Sequence, residues 1–177
     1  MDDEVAYAGW LKVCRRKHHD QTYDILEDHD AVAAIIVNER DDILLVKQFR
    51  PALMQETLEI PSGTIDNVHE RDLECLLREL KEETRLDIHP EEARHVLSYK
   101  PSVGFSNALM KIYHVRIAGN DSNPWPVEDD NVYEVVWLSL EDLEQRIAAG
   151  DILDVKTIVA CLLIRNCFTT GAKPVST

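Results

Sequence analysis

Glu79, Glu82 and Glu83 stand at i, i+3 and i+4 within Arg78-Glu79-Leu80-Lys81-Glu82-Glu83. On a helix that spacing puts three carboxylates on one face. Gathering like charges this way costs about 0.2–0.5 kcal/mol per pair. A hard divalent cation offsets the cost, because carboxylate oxygens are the ligands Mg²⁺ prefers. A cation held there can lower the pKa of a water and neutralise a phosphoryl group. A solvated acidic face, with Arg78 and Lys81 as neighbours, would read the same way, so the surrounding residues decide.

The elements that must position this cluster are legible. Leu73, Leu76, Leu77 and Leu80 make one apolar stripe, which predicts a helix over 70–84. Asn67 is the expected cap, with Glu70 in the capping-box position. Ahead of it, Ala31 to Val37 and Ile43 to Gln48 read as an antiparallel hairpin around a polar turn. Pro51 ends the second strand. Leu58-Glu59-Ile60 is a short strand stopped by Pro61-Ser62-Gly63. Residues 6–30 read as a short β-hairpin outside the main core. Further strands are expected at 95–100, 108–117 and 132–138, with a turn-rich acidic loop over 119–130. Ser139 opens one helix, and Asp154 caps another that runs to about Cys167. The tail from Thr169 is expected to fray. This uneven order predicts an α/β fold, a mixed sheet covered on both faces by helices.

The length of 177 residues suits one domain spanning the chain. A net charge of −14 argues against nucleic-acid and anionic-membrane partners. It also means that an anionic substrate needs local cations to collect it. Cys14, Cys75, Cys161 and Cys167 show no metal-like spacing and are expected to be buried thiols. The histidines show no ligand spacing either. No apolar run is long enough to span a membrane. The acidic start lacks the order of a secretory signal, so a cytoplasmic location is expected.

The stretch GTIDNVHERDLECLLRELKEETRL resembles the Nudix box, G-x5-E-x7-R-E-U-x-E-E-x-G-U with U aliphatic. Glu70, Arg78, Glu79, Leu80, Glu82, Glu83 and Leu86 match its E, R, E, U, E, E and U. Two departures stand out. Gly63 and Glu70 are separated by six residues rather than five, so the loop must bulge by one. Arg85 replaces a glycine that usually takes a left-handed conformation, a substitution costing about 1–2 kcal/mol.

The resemblance extends beyond the box to the ADP-ribose pyrophosphatases. Leu45-Val46-Lys47-Gln48-Phe49-Arg50-Pro51 is similar to their LVxQxRP strand, and Glu59-Ile60-Pro61-Ser62-Gly63 to their E-x-P-A-G. Gly104-Phe105-Ser106 resembles their G-F-S loop. Gly150-Asp151-Ile152 followed by Asp154-Val155-Lys156-Thr157 resembles their closing G-x-I-x-D-x-K-T. The resemblance implies the Nudix fold, a mixed sheet between helices, and a homodimer with exchanged N-terminal strands. It implies Mg²⁺, with Mn²⁺ as the alternative, on Glu79, Glu83, Glu82 and the Ser62 carbonyl. Arg78 would hold the carboxylates and pair with Glu70. Arg50 would clamp a phosphate, Glu59 would lie near the terminal ribose or the metal, and Phe105 would line the substrate loop. Tyr23 would stack on a base from the partner subunit, with Trp10 a second candidate and Trp125 assigned to loop packing.

The general base departs from the family pattern. Its position holds Asn131, which cannot accept a proton at neutral pH, and the loop glutamate after G-F-S is replaced by Ala108. Three readings stay open. Glu128, Asp129 or Asp130 takes over; Glu82 or Glu83 serves; or the chain binds without cutting. The expected activity is hydrolysis of ADP-ribose to AMP and ribose 5-phosphate. The alternative substrate is another nucleotide sugar of the UDP-glucose or GDP-mannose type.

Overall fold

The computed structural model describes residues 3–67, 69–118 and 132–168. Its central sheet is mixed. Strands β1 (Glu4–Ala8), β2 (Lys12–His18) and β3 (Gln21–Glu27) form a separate antiparallel sheet. The seven-stranded sheet contains β4 (Ala31–Val37), β5 (Ile43–Arg50), β6 (Gln55–Glu59), β7 (Ser62–Thr64), β8 (Arg94–Tyr99), β9 (Met110–Arg116) and β10 (Val132–Leu138). Helices α1 (Asp72–Thr84), α2 (Leu140–Ala149) and α3 (Val155–Leu163) complete the fold.

The pleat sorts the core into two layers. Ala33, Ile35 and Val37 of β4, with Ile43 and Leu45 of β5, pack against Leu143 of α2 and Ala160 and Cys161 of α3. Their neighbours Val32, Ala34, Ile36, Leu44 and Val46 face Cys75, Leu76 and Leu80 of α1. A strand covered on both faces has no polar side, which is why AVAAIIV and ILLV run unbroken rather than alternating. The expected α/β sandwich is present.

Four local expectations are corrected. Residues 6–30 hold three strands rather than a hairpin, because β1 adds to β2 with pairs from Glu4↔Arg15 to Ala8↔Lys12. The β4–β5 hairpin is joined at Val37↔Ile43 and then opens. Into the opening go β6, paired with β5, and β7, paired with β4. Ser62-Gly63 therefore belongs to a strand and not to a stop. The cap of α1 is Arg71, whose N–H donates to Glu74 at 3.1 Å. Asn67 instead closes the preceding turn by accepting from His69 N at 3.0 Å, and Glu70 is taken by Arg78. The last helix ends its α-helical part at Leu163 and continues as a π-turn over Ile164–Phe168.

Ser139 and Asp154 cap α2 and α3 as expected, their side chains accepting from Asp142 N and Thr157 N. Arg85 does take the left-handed conformation, with φ 59° and ψ 13°. The extra residue between Gly63 and Glu70 is absorbed after β7, so Gly63 keeps its place beside α1. Cys14, Cys75 and Cys161 are free and buried.

Thr157 fastens α3 to the turn between β6 and β7. Its buried hydroxyl accepts from Ile60 N at 2.9 Å and donates to Asp154 at 2.6 Å. Thr157→Val keeps the shape but leaves the Ile60 N–H without a partner. Such a group costs about 1–3 kcal/mol. Thermal and urea unfolding should show that loss, whereas Thr157→Ser should recover most of it.

Candidate active site

The opening between β5 and α1 is a cleft of about 910 Å³. Gln48, Arg50, Ser62, Gly63, Glu70, Arg78, Glu79, Glu83 and Lys156 all line it, from β5, β7, α1 and the start of α3. Each is brought there by a local rule. Gln48 and Arg50 are two apart on one strand and share a face. Glu79 and Glu83 are one turn apart on α1. Gly63 lies so close to α1 that a Cβ there would come within 2.0 Å of Glu79 Cγ. Only glycine permits that approach.

The carboxylates are already engaged. Arg78 donates to Glu70 at 3.0 Å, Glu79 at 2.8 Å and Glu82 at 3.1 Å. These anions, Glu70 first, raise the Arg78 pKa beyond its usual value, and Arg78 in turn lowers that of Glu70. Glu83 is buried and accepts from Ser62 N at 3.0 Å. Glu79, Glu83 and Ser62 thus meet at one wall, while Glu82 stays outside the set that lines the cleft. Hard oxygen donors of this kind suit a divalent cation of the Mg²⁺ class. Among the described residues, no three His, Cys, Asp or Glu side chains converge as a ready-made ion site. Glu79 and Glu82 would have to turn from Arg78 toward an ion.

Two cations, Arg50 and Lys156, line the same cleft. Arg50 makes a two-pronged pair with Glu59, at 2.7 and 2.6 Å. Lys156 also bonds Glu59, and pairs with Asp154 at 3.1 Å. Thr57 adds a hydrogen bond to Glu59 at 2.6 Å. Glu59 is buried and anchors Arg50, and it lines a smaller hollow with Leu53, Leu153 and Asp154 beside the cleft. Lys156 is a site residue that the sequence reading left without a role. Its signal was present in Asp154-Val155-Lys156-Thr157, but nothing in the spacing said that the lysine reaches β6.

Of the remaining candidates, Trp10 alone among the described ones lines the cleft. Tyr23 sits on β3, partly exposed and bonded to Gln21, away from the cleft. Phe105 is 55% exposed, and its carbonyl accepts from Leu26 N at 2.7 Å, so its loop secures β3 rather than lining the cleft. Trp10 does line the cleft and stacks on His29 at 4.6 Å. Asp130, with Glu128, Asp129, Asn131 and Trp125, lies outside the described residues.

Glu59 has a pH signature. Burial raises its pKa, but the Arg50 hydrogen bond, the Lys156 charge and Thr57 outweigh this and hold it at about 2, against 4.5 ordinarily. A depressed carboxylate stabilises fully above its unfolded pKa and loses that contribution as pH falls toward the folded one. Stability should therefore decline from about pH 4.5 toward pH 2. Glu59→Gln should flatten part of that slope and cost about 3 kcal/mol at neutral pH, since the buried Lys156 loses a partner. Urea unfolding from pH 3 to pH 7 measures both.

The NUDIX domain family matches residues 27–156. The methanol dehydrogenase activator of Bacillus methanolicus is 28% identical over 137 residues, covering 77% of this chain and 72% of that protein. The ADP-ribose pyrophosphatase of Bacillus subtilis is 27% identical with the same coverage. The ADP-sugar pyrophosphatase of Mus musculus is 35% identical over 128 residues, 68% of this chain and 57% of that protein.

Proposed function

Since the chain belongs to the NUDIX domain family, a hydrolase acting on nucleoside diphosphate derivatives, we propose that it is a Mg²⁺-dependent enzyme that splits ADP-ribose into AMP and ribose 5-phosphate. The observation that carries this reading is one cleft that holds both charges. Carboxylates of α1 and the Ser62 strand share it with Arg50 and Lys156. The similarity to proteins named ADP-ribose and ADP-sugar pyrophosphatases favours an adenosine-bearing substrate over UDP or GDP sugars.

On this reading the divalent cation is held by Glu79, Glu83, Glu82 and the Ser62 carbonyl, with Mn²⁺ as a substitute for Mg²⁺. When bound it neutralises the diphosphate and acidifies a water. Arg50 clamps a phosphoryl oxygen, and Glu59 holds the guanidinium in orientation through two hydrogen bonds. Arg78 keeps Glu79 and Glu82 near the cleft. The water oxygen attacks one phosphorus and the bridging P–O bond breaks. The water's proton passes to a carboxylate, for which Asp130 and the α1 glutamates Glu82 and Glu83 are the candidates. Tyr23 of a partner subunit in a homodimer would complete the base pocket.

Incubation with ADP-ribose and Mg²⁺ should release AMP, and EDTA should stop it. Glu83→Gln can still accept from Ser62 N, so the fold is retained, while kcat should fall about a hundredfold or more. Absence of AMP at enzyme levels that cut another nucleotide sugar would refute the ADP-ribose assignment. Tight binding of ADP-ribose without turnover would favour a binding module instead.

Gly63→Ala supplies a second check. The new methyl displaces Glu79, so kcat/KM should drop on the order of tenfold to a hundredfold. Thermal unfolding should move far less, because the displaced side chain lies at the cleft and not in the core.

A further inference from the structure

Gln48 is a cleft residue with a buried donor left unspent. It is 4% exposed, and its Nε2 has no hydrogen-bond partner among the described residues. Buried amide donors are nearly always bonded, and one left open asks for an explanation. Gln48 lines the cleft beside Arg50, on the face of β5 that looks toward α1. Its main chain is fixed on both sides, by Thr57 of β6 and Val132 of β10. The side chain thus has a rigid mount and an unused donor at the edge of the cleft.

We propose that Gln48 Nε2 donates a hydrogen bond to a phosphoryl oxygen of the bound diphosphate, next to the oxygen that Arg50 holds. The inference rests on the reading of this cleft as a diphosphate site. A neutral amide adds a contact there without competing with a cation for Glu79 and Glu83, as a further lysine would. It also gives the strand motif Gln48-Phe49-Arg50 a reason for its alternation: two donors on one face, with Phe49 on the other.

The test uses the full chain with Gln48→Met, which keeps length and removes the donor. The probe is α,β-methylene-ADP with Mg²⁺, titrated by calorimetry so that binding is read without turnover. A lost hydrogen bond to a charged group should weaken binding about tenfold to a hundredfold. The thermal midpoint should hold or rise, because the free protein loses an unsatisfied donor. Unchanged affinity would overturn the proposal. So would a lowered midpoint, which would assign the amide to a partner within the protein, or no binding of the probe by the wild type. AMP release from ADP-ribose by the wild type is measured in parallel. If the wild type cuts ADP-ribose while Gln48→Met binds normally, only this inference fails. If nothing is cut but binding depends on Gln48, only the ADP-ribose assignment fails.

Discussion

A carboxylate with almost no water around it joins three elements at one point. Glu59 ends β6, Arg50 ends β5 and Lys156 opens α3, and both cations bond the same side chain. Desolvating a carboxylate costs several kcal/mol unless charge and hydrogen bonds replace the lost water. Here two cations and the Thr57 hydroxyl do so. The arrangement is therefore cooperative: removing any member leaves another buried and unbalanced. Thr157, the residue after Lys156, binds the main chain of Ile60, the residue after Glu59. That second link makes the register of α3 on the sheet unambiguous.

A chain with net charge −14 that is to take an anion has to separate its charges locally. It does so by setting the acidic groups of α1 and the cations Arg50 and Lys156 on different elements of one cleft. At the edge of a low-dielectric core, a short separation matters more than the total, because distant surface charges are screened within about 10 Å in salt. The acid-rich exterior is thus compatible with an anionic substrate, and it discourages the polyanions that the sequence argued against.

The sandwich and most of its strands could be read from apolar runs, because burial on both faces leaves a pattern that no turn imitates. The α1 cluster could be read because helix periodicity fixes which side chains share a face. Caps at Ser139 and Asp154 were legible for the same local reason. What was not legible depends on partners far away in sequence. The opening of the β4–β5 hairpin, the strand character of Ser62-Gly63 and the third N-terminal strand all come from pairing across the fold. Lys156 looked like an ordinary helix-start lysine because its partner lies 97 residues earlier. The sequence placed Glu59 near the terminal ribose or the metal, but it could not show the two cations that hold it, because both lie on other elements. Asn67 failed as a cap because Glu70 had a better partner in Arg78.

Arg78 explains how α1 tolerates its own acidity. Four acidic side chains, Glu70, Glu79, Glu82 and Glu83, crowd one side of this helix region, and three of them accept from one guanidinium. That internal counterion offsets part of the repulsion among them. On the proposed reading it also sets the affinity. A cation must compete with Arg78 for Glu79 and Glu82, and with the Ser62 N–H for Glu83. A site that has to exchange one cation for another binds Mg²⁺ less tightly than an open carboxylate cage. Loose binding is consistent with an ion that the substrate phosphates help to hold.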